Sequence, residues 1–177
     1  MHRLFVGIRP PLAMRDMLVD RMDGIEGARW QEDAQLHLTL RYIGEVERPV
    51  AEDIATVLTT IHATAFDLAL SGVGTFDKRG RINAIWAGVA PAAPLAALHR
   101  KIDHALVRIG LPPEGRAFVP HITLARLNAS SGPVGGFLAA HAGLSSDAMS
   151  IDNFLLYESH IGRDGSQYDA IARYPLK

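Results

Sequence analysis

The stretch "QLHLTLRYIGEV", Gln35 to Val46, alternates leucine with His37, Thr39 and Arg41. A period of two marks a β-strand with one apolar and one polar face, so Leu36, Leu38 and Leu40 turn to a core while His37 and Thr39 share the other side. The chain repeats the phrase as "VPHITLARL", Val119 to Leu127, with His121 and Thr123 on one face and Ile122 and Leu124 behind them. In this composition one His-x-Thr-Leu is expected by chance about 0.04 times, so two copies call for a common cause.

Outward from these two strands the chain reads as one unit written twice. Leu4 to Ile8 is an apolar run stopped by Arg9-Pro10-Pro11, a buried strand. The prolines then open a helix along "PPLAMRDMLVDRM", with Leu12, Met14, Leu18 and Met22 available for one side. After the first motif, "RPVAEDIATVLTTIHA" has apolar residues at helical spacing and "FDLALSGVGTF" returns to alternation. From Ile82 the order restarts. "INAIWAGV" is a strand, and "APLAALHRKIDHALVRIG" is a helix with Leu95, Leu98, Ile102, Ala105 and Ile109 on one side and Gly110 at its stop. Phe118 to Leu127 is the second motif strand, "VGGFLAAHA" a short helix weakened by glycine, and "MSIDNFLLYES" and "QYDAIARYPL" two closing strands. Phe5 precedes His37 by 32 residues and Trp86 precedes His121 by 35. This spacing predicts an α+β fold, an internal duplication filling residues 1–177 as a single domain of two pseudo-symmetric lobes. Each lobe brings one His and one Thr to a shared cleft.

Composition narrows the chemistry. The chain has no cysteine, which removes disulfides, thiolate nucleophiles and thiolate metal sites together. A formal charge of -1 is unlike a protein that grips long nucleic acid by its phosphates, and leaves a short or end-bound phosphate ligand open. The apolar run near the N-terminus is too short for a signal-peptide core or a membrane span, so a cytoplasmic protein is expected.

Two imidazoles and two hydroxyls converging about a pseudo-two-fold axis suit one phosphate. Histidine titrates near neutrality, so of two in one site one can be neutral and the other protonated at pH 7, giving a general base and a general acid on opposite sides of phosphorus. The threonine hydroxyls would hold the non-bridging oxygens as charge gathers on them. No metal or other cofactor is called for.

"LHLTLRYIGEV" and "PHITLAR" resemble the paired motifs of the 2H phosphoesterase superfamily, in particular its RNA 2',3'-cyclic phosphodiesterase branch, the LigT-like or 2'-5' RNA ligase family. The likeness extends to "RLFVGIRPP", Arg29-Trp30, "GVGTFDKRGR" with "IWAGV", and "LYES" with "GSQY". The resemblance implies two antiparallel sheets lining a central cleft with helices outside. It implies metal-independent opening of a 2',3'-cyclic phosphate at an RNA end to a 2'-phosphate and a free 3'-hydroxyl. By motif position His37 would donate a proton to the departing O3' and His121 would activate water, although the residues alone are too nearly symmetric to say which does which. If a 5'-hydroxyl replaces water, the same groups would run a 2'-5' joining reaction, with hydrolysis the main activity.

Arg126 follows the second motif, as an arginine commonly does in that family, and is expected to clamp phosphate oxygens. Strict alternation puts it out of phase with His121 and Thr123, so it needs a bulge or the strand's end to reach the site. Arg41, in phase with His37 and Thr39, is a second candidate substrate contact. "DKRGR", Asp77 to Arg81, reads as a charged turn whose cations could meet the RNA. Trp30, Tyr42 and Phe118 could stack on a base, with core packing expected for at least two of them. The other six histidines are expected at the surface or at helix ends. The partners expected are RNA ends or nucleotides carrying a 2',3'-cyclic phosphate, bound by a monomer, since a duplication removes the need for a dimer. Competing readings are a metal site on the two histidines, which lacks a carboxylate at ligand spacing, a non-catalytic module binding RNA ends, and a phosphodiesterase of other cyclic or 2'-5' linked nucleotides.

Overall fold

Leu38 of the first motif pairs with Ile122 of the second, antiparallel, and the architecture is arranged about that contact. The computed structural model describes residues 1–177. In chain order the elements are β1 (His2–Ile8), α1 (Leu12–Val19), β2 (Arg29–Trp30), β3 (Leu38–Val46), α2 (Arg48–Val57), β4 (Phe66–Lys78), β5 (Arg81–Ala90), α3 (Ala92–Arg108), β6 (His121–Arg126), α4 (Gly135–His141), β7 (Met149–Ile151), β8 (Asn153–Gly162) and β9 (Gly165–Pro175).

The strands follow one path, β7-β4-β5-β6-β3-β1-β8-β9, with β2 added to β6. The path divides into two antiparallel lobes, β6-β5-β4-β7 and β3-β1-β8-β9, joined at the single pair Leu38 and Ile122. The lobes are not the two halves of the chain. β4 follows the first motif yet pairs with β5, and β8 near the C-terminus pairs with β1. The first half therefore lends β2 and β4 to the other lobe, and the second half lends β8 and β9. "MSIDNFLLYES", expected as one strand, is broken at Asp152 for this reason: β7 pairs with β4 in one lobe and β8 with β1 in the other.

The core follows the sequence patterning. Leu36, Leu38 and Leu40 are buried with Ile122 and Leu124, and one cluster runs from Leu4 and Val6 through Ile85 to Leu156 without a break between lobes. α3 buries Leu95, Leu98, Ile102, Ala105 and Leu106 and packs on β3. Gly110 has φ +101°, a left-handed conformation open to glycine, and it ends that segment where the sequence indicates. α1 buries Met14 and Leu18, whereas Leu12, expected on the same face, is 60% exposed because it opens the first turn. No helix is long and apolar enough to cross a membrane.

Candidate active site

Continuing the Leu38 and Ile122 register by one residue in each direction sets His37 opposite Thr123 and Thr39 opposite His121. All four lie on the face away from buried Leu38 and Ile122. The two histidines are then diagonal neighbours, with backbone positions about 7–8 Å apart. That separation leaves room for a tetrahedral phosphorus between two imidazoles.

Each imidazole is fixed the same way. His37 Nδ1–H donates to the Gln35 carbonyl at 2.8 Å, and His121 Nδ1–H donates to the Val119 carbonyl at 2.6 Å. A carbonyl only accepts, so each Nδ1 carries the hydrogen and each Nε2 is left for chemistry. The segments that carry these carbonyls are themselves held. Arg9 donates to the carbonyls of Asp33 and Leu36, at 2.6 and 2.8 Å, and Gln35 Nε2 donates to the Ser166 carbonyl at 2.8 Å, tying the approach to His37 onto β9. On the other side, Phe118 stacks on His99 at 4.4 Å, and His99 Nδ1 bonds the Leu40 carbonyl at 2.6 Å. His99 thus links the strand of the first motif to the approach of the second, and it is not the surface residue its sequence context suggested.

Aromatic walls bound both histidines. Phe5 and Tyr168 each lie 4.8 Å from the His37 ring, and Phe76 meets the His121 ring edge-on at 4.7 Å with Trp86 at 5.9 Å. Burial is the main cause that lowers His37 to about 4, with smaller contributions from the charges of His121, Arg126 and Arg9. His121 is lowered as well, first by burial and then by Arg126. The carbonyl acceptors pull the other way without prevailing. Both imidazoles are consequently neutral at pH 7 in the free protein, where the sequence suggested one neutral and one protonated. The negative charge of a phosphate is what would return a proton to one of them.

The two arginines part company, and in each case a bulge decides. Between β5 and β6, Ile85 opposes Ala125 and Trp86 opposes Thr123, so Leu124 is an extra residue. The bulge turns Leu124 and Ala125 both into the core and brings Arg126 back into phase with Thr123 and His121. Its charge bears on both histidines. Between β1 and β3, Val6 opposes Arg41 and Gly7 opposes Thr39, with Leu40 the extra residue. Here the same bulge swings Arg41 to the helix side. Arg41 is 6% exposed, its Nε bonds Asp103 Oδ1 on α3 at 2.8 Å, and its remaining donors go to the carbonyls of Tyr42 and Pro112. Each guanidinium nitrogen thus bonds to protein on the α3 side, and Arg41 is buried there instead of facing the cleft as the alternation indicated. The position equivalent to Arg126 in the first motif is Tyr42, which is 43% exposed. Trp30 packs on Phe137 and Phe118 on His99, which leaves Tyr42 alone of the three aromatics offered for base stacking.

Sequence reasoning missed Arg9, Gln35, Tyr168 and Phe76. All four lie in stretches already singled out, but Phe76 and Tyr168 reach the histidines only through strand pairing, and Gln35 acts through its backbone carbonyl, which no side-chain pattern reveals. No group of three or more His, Asp or Glu is arranged to hold a metal ion. A cavity of about 680 Å³ is lined by Leu58, His62, Lys101 and Tyr174 and contains neither motif. Chemistry, not size, singles out the histidine cleft.

The fold and the doubled His-x-Thr face point to one family. The family model of the 2'-5' RNA ligase superfamily matches residues 10–143, and the chain belongs to that family. A protein of Aeropyrum pernix named RNA 2',3'-cyclic phosphodiesterase is 39% identical over 54% of this chain and 55% of its own length. One of the same name from Geobacillus stearothermophilus is 30% identical over 83% of this chain and 47% of its own. The chain thus spans about half the length of these two relatives. The crystal structure of Escherichia coli LigT complexed with 3'-AMP superposes with a TM-score of 0.81 at 25% identity, covering 99% of this chain and 98% of that one.

Proposed function

We propose that this protein opens 2',3'-cyclic phosphates at RNA ends by acid–base catalysis between His37 and His121. The observation that carries the reading is the quartet itself: two His-x-Thr pairs on one face, diagonal across the Leu38 and Ile122 contact, each imidazole anchored through Nδ1 and free at Nε2. The names of the curated relatives support the choice of substrate.

In this reading the cyclic phosphate sits between the imidazoles with its non-bridging oxygens toward Thr39, Thr123 and Arg126. His121 Nε2 takes a proton from water as its oxygen bonds to phosphorus. The P–O3' bond breaks on the opposite side and His37 Nε2 gives O3' a proton. The products are a 2'-phosphate and a free 3'-hydroxyl, and one proton has passed from one histidine to the other. Because burial keeps both neutral in the free protein, binding of the anionic substrate must draw in the proton that His37 delivers. A 5'-hydroxyl in the place of water would yield a 2'-5' linkage by the same steps. Water, at its bulk concentration, makes hydrolysis the main outcome. The protein works in the cytoplasm as a monomer on this reading, since one chain supplies both histidines.

The test is a short RNA ending in a 2',3'-cyclic phosphate, incubated with the protein and a strong chelator, with the product identified as a 2'- or 3'-phosphate. A 2'-phosphate is expected. A 3'-phosphate would reverse the leaving group, and activity lost to the chelator would replace the two-histidine mechanism with a metal.

A further inference from the structure

We propose that the tip of the β4–β5 hairpin is the subsite for the nucleotide chain 5' to the cyclic phosphate, so that the strand leaves the cleft along this hairpin and its length is felt there. The inference rests on the activity proposed above and adds its substrate preference.

Phe76 on β4 touches the His121 ring and therefore faces the cleft. Two residues further along the same strand, Lys78 lies on that same face, about 6.5 Å beyond it. Arg81 is its direct cross-strand partner, so both cations extend from the cleft in one line, with Arg79 at the turn. On the neighbouring strand Ala84 pairs with Arg126, which joins this line to the arginine beside the histidines.

Asp77 is the one acid in the turn, and it pairs with none of these cations. Lys78, Arg79 and Arg81 are exposed and none makes an ion pair with a carboxylate. Like charges directly opposite on a sheet are destabilising, so an arrangement made only for stability would place an acid at one of the two positions. A second observation falls at the same place. Asn83, the bulge residue between Ala84 and Ile82, has a buried side-chain oxygen with no hydrogen-bond partner. It lines one cavity with Lys78, Arg79, Arg81 and Asn128. The three cations that line this cavity suit the phosphates of a nucleotide chain. With a net charge of -1 the protein has no general attraction for polyanions, so this local stripe sets the direction in which the strand leaves the cleft.

The experiment compares a cyclic-phosphate-ended RNA pentamer with a 2',3'-cyclic mononucleotide, using the wild type, Lys78→Ala/Arg81→Ala, and Arg100→Ala/Arg108→Ala on the exposed side of α3 as a control of equal charge. Binding of the labelled pentamer is followed in parallel by fluorescence anisotropy over a range of salt. The wild type should prefer the pentamer. The hairpin variant should lower the pentamer-to-mononucleotide ratio of kcat/KM about tenfold, and two lost phosphate contacts should flatten the slope of log K against log salt by about 1.4. The α3 variant should keep both ratio and slope. A hairpin variant with unchanged ratio and slope, in a protein that still opens the mononucleotide, would overturn the subsite and leave the activity standing. Failure of both substrates would instead overturn the activity, and the anisotropy slope would then decide the subsite by itself.

Discussion

His37 shows how one side chain's surroundings set both mechanism and stability. Its imidazole is held at about 4 by burial, against about 6.5 in an unfolded chain. Between those values the unfolded chain binds the proton and the folded one does not, so acidification favours unfolding. Stability should fall as pH drops from about 6.5 toward about 4, with His121 adding in the same direction. Thermal melts at several pH values check this, and His37→Asn should flatten the decline. The same lowering should place the maximum of the kcat/KM profile, which reports the free enzyme, on the acid side of about 6.5. The kcat profile should lie higher, since the bound phosphate stabilises imidazolium. The pair of histidines was legible in the sequence because a polar residue repeated at a strand's outward positions has no packing reason to be there. Their shared neutrality was not legible, because it comes from Phe5, Tyr168, Phe76 and Trp86, which approach from four other strands.

At the scale of elements, two β-bulges do what alternation alone cannot. The bulge at Leu124 returns Arg126 to the cleft, and the one at Leu40 withdraws Arg41 from it. Period-two reading erred at Arg41 for that reason, since a single extra residue reverses every later side chain. Arg41 instead binds β3 to α3 through Asp103 and to the loop beyond α3 through the Pro112 carbonyl. Removing one partner of such a buried pair strands the other charge, so Asp103→Ala should cost about 3–5 kcal/mol in denaturant titrations. The folded fraction should keep its kcat. Gly74 offers the opposite pattern. It faces Trp86 across β4 and β5, and a Cβ there would lie 2.3 Å from the indole ring. Gly74→Ala should push Trp86 off His121, lowering kcat and changing the tryptophan fluorescence, with a smaller effect on stability than Asp103→Ala.

Across the whole molecule, the duplication is written in the sequence but the exchange of strands is not. Periodicity gave the order of strands and helices in each half. Which half supplies which edge depends on β4 turning directly into a hairpin with β5, and on β8 pairing with β1 from the far end of the chain. The exchange has a consequence for folding: fragments 1–79 and 80–177, divided at the exposed hairpin tip, each lack strands that their own lobe requires. Neither should fold alone by circular dichroism, and mixing them should restore both the sheet signal and activity. The exchange also ties the two lobes together, since each contains strands from both halves of the chain. The central claim is that His37 and His121 act as one device upon a cyclic phosphate, and single and double alanine variants assayed on a cyclic-phosphate-ended RNA test it most directly. Each single substitution should cost about 10²- to 10⁴-fold in kcat, and the double little more than either, because acid and base serve the same step. Near-wild-type turnover in either single variant, or costs that multiply in the double, would contradict the paired mechanism.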